Sequence, residues 1–145
     1  MTRRALAALA ALGVLGACSS PAPAPALSGG ESMLKLRSAQ TRAFETGDRT
    51  RVMRGVVATL QDLGFMVTGA DAALGAVSGR KFTTGRNGPI QELRLTVTVR
   101  ARDEHRTLVR ANAEFANQPV EDPAAYQNFF NALGRTLFLT ANQAD

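Results

Sequence analysis

The chain has 145 residues, a formal net charge of +5 and 45% hydrophobic residues. That is enough for one modest domain and too little for two ordinary ones. A single Cys and a single His exclude an internal disulfide and leave too few N and S donors for a zinc centre.

Arg3 and Arg4 form a short positive start, and residues 5–15 form an apolar run of Ala, Leu, Val and one Gly. Eleven residues cannot cross a hydrocarbon core, which needs about 20, but they suit the apolar region of a secretory leader. Leu15-Gly16-Ala17-Cys18 follows directly. Leu, two small residues and Cys resemble the bacterial lipobox. The resemblance implies cleavage before Cys18, a diacylglyceryl group on its thiol and usually an acylated amino group. Two or three acyl chains give stable anchoring at about 0.8 kcal/mol per buried CH2. Ser19, in place of Asp, favours the outer membrane under the Gram-negative sorting rule. The domain expectations are therefore a signal peptide at 1–17, a lipidated Pro/Ala/Gly-rich tether at 18–34 and a single α+β domain at 35–145. Cleavage also removes Arg3 and Arg4, lowering the charge from +5 to +3, and a protein anchored outside the cytoplasm is not expected to meet nucleic acid. Alternating Pro and Ala in SSPAPAPALSGGE, with Gly-Gly behind them, read as an extended spacer with a flexible joint.

The first strand is expected near 38–46. Asp48 is then a helix N-cap, and Val52, Met53, Val56, Val57, Leu60 and Leu63 lie on one face of a 3.6-residue period, giving a helix over 49–63 closed by Gly64. Arg49, Arg51 and Arg54 stand near its N-terminus, the unfavourable end for cations. Strands follow near 65–69 and 75–82, and Asn87-Gly88 signals a hairpin turn. Residues 92–102 alternate strictly, with Leu93, Leu95, Val97, Val99 and Ala101 between polar neighbours. A turn at Asp103-Glu104-His105 returns the chain over 106–115 with Thr107, Val109, Ala111, Ala113 and Phe115 inward. Asp122 and Pro123 open a second helix, 123–140, with a stripe of Tyr126, Phe129, Phe130, Leu133, Leu137 and Phe138. The pattern predicts an α+β two-layer sandwich: an antiparallel meander sheet packed by two helices, with its other face at least partly wet.

Three phrases, Gln40-Thr41-Arg42-Ala43-Phe44, Leu60-Gln61-Asp62-Leu63-Gly64-Phe65 and Gly75-Ala76-Val77-Ser78-Gly79-Arg80, resemble a family of small bacterial envelope lipoproteins. The element order is also similar to the helix-grip modules of accessory lipoproteins in outer-membrane assembly, a likeness of fold alone. Neither resemblance brings a catalytic motif or a cofactor.

No catalytic residue, metal ligand or cofactor is expected. His105 lies in a turn. Asp103-Glu104 and Glu121-Asp122 mark a turn and a helix start, whereas a hydrolase needs separated carboxylates converging on a cleft. Gly85-Arg86-Asn87-Gly88 lacks the lysine and following helix of a phosphate loop. The distinctive surface feature is Arg94, Arg100 and Arg102 on one strand with Arg106 and Arg110 on its neighbour, all of outward parity. Leu108 shares that parity. Such a face suits an envelope protein's carboxylates or a lipid phosphate; the plainer reading is a solvated face that guards a sheet against aggregation. The leading expectation is a non-enzymatic envelope lipoprotein binding or stabilising an envelope assembly. The second is a lipid or lipopolysaccharide binder, either through the arginine face or through a groove lined by Phe129, Phe130 and Phe138.

Overall fold

In the computed structural model, residues 28–84 and 88–142 are described. The leader, Cys18, residues 19–27 of the expected tether and Asn87 of the Asn87-Gly88 turn signal lie outside them. The element order is α1 (Ser28–Ala39), β1 (Thr41–Phe44), α2 (Arg49–Asp62), β2 (Met66–Asp71), β3 (Ala76–Thr84), β4 (Ile90–Ala101), β5 (Thr107–Phe115), β6 (Gln118–Pro119) and α3 (Pro123–Asn142). β2 to β5 form an antiparallel meander. β1 adds to its far side, giving the order β1-β5-β4-β3-β2, with β6 pairing the end of β5. This is the expected α+β two-layer sandwich.

Alternation along β4 and β5 builds the core. Leu95, Val97, Val99, Val109 and Ala111 are buried beneath α2 and α3, which supply Val52, Val56, Leu60, Tyr126, Phe130 and Leu133. Thr107 is the polar member of that inner row, and its hydroxyl is satisfied by donating to the Thr46 carbonyl at 2.7 Å. α2 begins as its sequence indicates, with Asp48 Oδ1 accepting from the Arg51 N–H at 2.9 Å. It ends at Gly64, whose φ of 80° is a left-handed conformation costly for residues with a Cβ. Lys81 Nζ covers the Leu63 carbonyl at 2.9 Å. α3 opens at Pro123, with Asp122 Oδ1 accepting from the Ala124 N–H.

The arginines at the start of α2 are offset by other partners. Arg49 donates to the Val99 and Ala73 carbonyls, and Arg51 to the Leu137 carbonyl near the end of α3. Arg54 is exposed.

The largest correction to the sequence reading lies at the start of the domain; Phe115, expected inward, is also exposed at the end of β5. The tether was expected to run to residue 34 and the first strand to begin near 38, but α1 occupies Ser28–Ala39 and β1 starts only at Thr41. Two glycines at the helix start and a weak apolar stripe hide this helix from periodicity. Its order comes from docking, since Leu36 and Ala39 pack against the core while Met33 and Leu34 stay exposed. A smaller correction follows β5: Ala116 and Asn117 both take positive φ, 49° and 62°, in a tight turn into β6, a pair found in the hairpin turns that match strand twist.

Candidate binding face of the sheet

α2 and α3 contribute to the core beneath the sheet, and the outward residues of β4 and β5 alternate with the buried ones. Register sets which of them meet. Thr96 lies opposite Asn112, Thr98 opposite Arg110 and Arg100 opposite Leu108, while Thr41 of β1 flanks Arg110 on its other side. These seven residues line an open depression of about 510 Å³. Thr41, Thr96 and Thr98 line it with small β-branched side chains beside the two arginines.

The five arginines singled out in the sequence have different environments. Arg94 is neutralised: it lies opposite Glu114 and bonds both Glu92 Oε2 at 2.9 Å and Glu114 Oε2 at 3.3 Å. Arg106 precedes β5 and is held by Asp103 at 2.8 Å. That bond, outweighing desolvation and helped by the His105 backbone N–H and then by the Arg106 charge, holds the Asp103 carboxyl below its ordinary 3.8, and Asp103 raises Arg106 in turn. Arg102 lies beyond the end of β4 in the same turn, exposed. Arg100 and Arg110 remain. They are diagonal neighbours on adjacent strands, where Cα atoms lie about 7–8 Å apart and long side chains can converge. Neither has an ion pair or side-chain hydrogen bond among the described residues.

Thr41, Thr96, Thr98 and Asn112 were not singled out in the sequence, although the outward parity of β4 and β5 contains the last three. Asn112 has a further partner. Gln40, buried at the end of α1, donates through Nε2 to Asn112 Oδ1 at 3.0 Å and to Tyr126 Oη at 3.2 Å. Tyr126 Oη donates in turn to the Val120 carbonyl at 2.6 Å.

A second concavity, of about 540 Å³, lies between β1 and α3. Phe44, Phe130, Gly134, Phe138 and Leu139 line it, with Arg42 and Arg135 at its margin. Phe138 is 66% exposed and Leu139 57%. Of the three aromatic residues expected in a groove here, Phe130 and Phe138 line it, whereas Phe129 belongs to the core. Arg42 stacks over the Phe130 ring and bonds Asn131 and Gln127.

The carboxylate pairs have local partners: Asp103 holds the turn and Asp122 caps α3. His105 is exposed. Among the described residues no group of three His, Cys, Asp or Glu side chains is placed to hold a metal ion, and no helix is long and apolar enough to cross a membrane. No protein-family model matches the chain, and a search of curated proteins finds no match.

Proposed function

We propose that this chain is a non-enzymatic lipoprotein of the bacterial cell envelope, anchored by acyl chains on Cys18 at the outer membrane. Its domain faces the periplasm and binds an acidic envelope protein, stabilising that protein's assembly. The lipobox Leu15-Gly16-Ala17-Cys18, behind its basic and apolar leader, supports the anchor. The observation that carries the binding role is the Arg100–Arg110 pair: two neighbouring guanidiniums in a depression whose lining holds no carboxylate. Like charges placed side by side repel, and an anionic partner relieves that repulsion while filling both guanidinium forks.

In-cell crosslinking of the full chain, beside an Arg100→Glu/Arg110→Glu variant of equal abundance, tests the role. A protein captured by the wild type and lost by the variant is the expected result; equal capture by both overturns it. The mass of the intact chain from envelope fractions tests the anchor, since acylation adds the lipid mass at Cys18.

The groove beside α3 favours a second reading, a lipid or lipopolysaccharide binder. Large side chains as exposed as Phe138 and Leu139, in a concavity bordered by Arg135, suit an anionic amphiphile. Saturable binding of a labelled lipid, lost in Phe138→Asp, supports that reading, and no binding removes it.

A further inference from the structure

We infer that the depression on the sheet seats an extended acidic segment of a polypeptide, with one carboxylate on Arg100 and Arg110 and a second acceptor on the Asn112 amide. The inference rests on the binding role proposed above and specifies what that face recognises.

The direction of one hydrogen-bond chain decides the chemistry. Tyr126 gives its hydroxyl proton to the Val120 carbonyl at 2.6 Å, so it accepts from Gln40. Gln40 Nε2 spends its two hydrogens on Tyr126 Oη and on Asn112 Oδ1. Asn112 is thereby fixed with its oxygen toward Gln40, and its NH2 is left without an acceptor among the described residues. A planar amide presents that NH2 to the depression as a donor. The charged and amide groups of the site are thus all donors, and its threonine hydroxyls adapt to either role. A ligand made of acceptors, bearing negative charge, matches that set.

Spacing narrows the ligand further. Arg110 and Asn112 are two residues apart on β5, a separation of about 6.8 Å along a strand, and Arg100 extends the line diagonally the other way. A lone phosphate or carboxylate is too short to meet both ends. An extended polypeptide repeats same-side groups at that same two-residue interval, so an acidic side chain on the arginines brings its next same-side acceptor to Asn112. Leu108, half-buried beside Arg100, adds an apolar contact for the segment's flank.

The test is a nuclear magnetic resonance titration of the full chain in detergent micelles with a synthetic octapeptide carrying Asp at alternate positions. Inorganic phosphate, phosphatidylglycerol added to the micelles and an Asn-for-Asp peptide serve as comparators. The acidic peptide is expected to shift the Asn112 side-chain NH2 and the Arg100 and Arg110 Nε–H signals together and saturably. Removing the peptide's charge should weaken binding at least roughly tenfold, the scale of a lost charge-assisted hydrogen bond. Asn112→Asp keeps an oxygen for Gln40 but replaces the donor with a like charge to the ligand. It should weaken binding by a similar factor with the backbone spectrum intact. Absence of a saturable shift overturns the inference. So does binding by Asn112→Asp equal to the wild type, or an equal response to phosphate or to the lipid. A missing acyl group on Cys18, or no partner captured in cells, bears on the proposed function and leaves this titration to be judged separately.

Discussion

Gln40 and Tyr126 meet across 3.2 Å, joining the end of α1 to α3 over 86 residues of chain. The contact explains how a buried glutamine is tolerated in a small domain. Both Gln40 Nε2 hydrogens are used, and Tyr126 Oη also accepts from the Ala113 N–H. Among the described residues no buried side-chain N or O atom lacks a partner. Tyr126→Phe removes the hydroxyl and leaves the Val120 carbonyl and one Gln40 hydrogen without it. The expected loss is about 1–3 kcal/mol of stability, the cost of unsatisfied buried groups, measured as a lower denaturant midpoint with an unchanged slope.

Gly75 has a φ of 70°, and a Cβ there would lie 2.3 Å from the Val99 carbonyl oxygen. That carbonyl also accepts from Arg49, so the strand cannot move away without loosening the start of α2. Gly75→Ala is expected to destabilise by about 1–3 kcal/mol or more. Hydrogen exchange should show the loss first at the β2–β3 turn and the first turn of α2.

Leu133 is fully buried on α3 beside Gly55, where the two helices come close. Leu133→Ala should cost about 2–5 kcal/mol, the range for a buried leucine whose cavity only partly collapses. An equilibrium urea curve checks this; a change under about 1 kcal/mol would show that the helices close over the gap.

The Asp103–Arg106 turn gives a pH dependence with a definite sign. The folded-state value of Asp103 lies below its ordinary 3.8. Its contribution is therefore present above 3.8 and is lost as pH falls through the lowered value. Arg106 stays protonated throughout that range, since its hydrogen bond to Asp103 shifts it further upward. Asp103→Asn should be less stable than the wild type at neutral pH, with the difference closing in acid. The pair is exposed, so the difference should be small and shrink with added salt.

The meander was legible because each of its signals is local. Strict alternation over residues 92–102 names the buried row, Gly64 marks the end of α2, and Asp122-Pro123 marks the start of α3. Parity also placed Arg94, Arg100 and Arg110 on one face. Glu92, two residues before Arg94 on the same face, already hinted that Arg94 is paired, but its second partner Glu114 is set opposite by the β4–β5 register twenty residues away. α1 was hidden for a different reason. A helix anchored by Leu36 and Ala39 alone carries too little apolar face to show a period, and its docking against α3 belongs to tertiary structure. Gln40 followed it out of sight: read as a residue within a strand, it is in fact the buried hinge between α1 and β1.

The early start of α1 changes the mechanics of the anchor. If Cys18 holds the lipid, only residues 18–27 separate it from the helix, and ten residues span at most about 36 Å when pulled straight. The domain then patrols a thin shell over the bilayer and cannot search the whole periplasm. Within such a shell, a partner embedded in the same membrane meets the sheet at an effective concentration on the order of millimolar. An interaction too weak to survive dilution in a test tube can therefore stay occupied at the membrane.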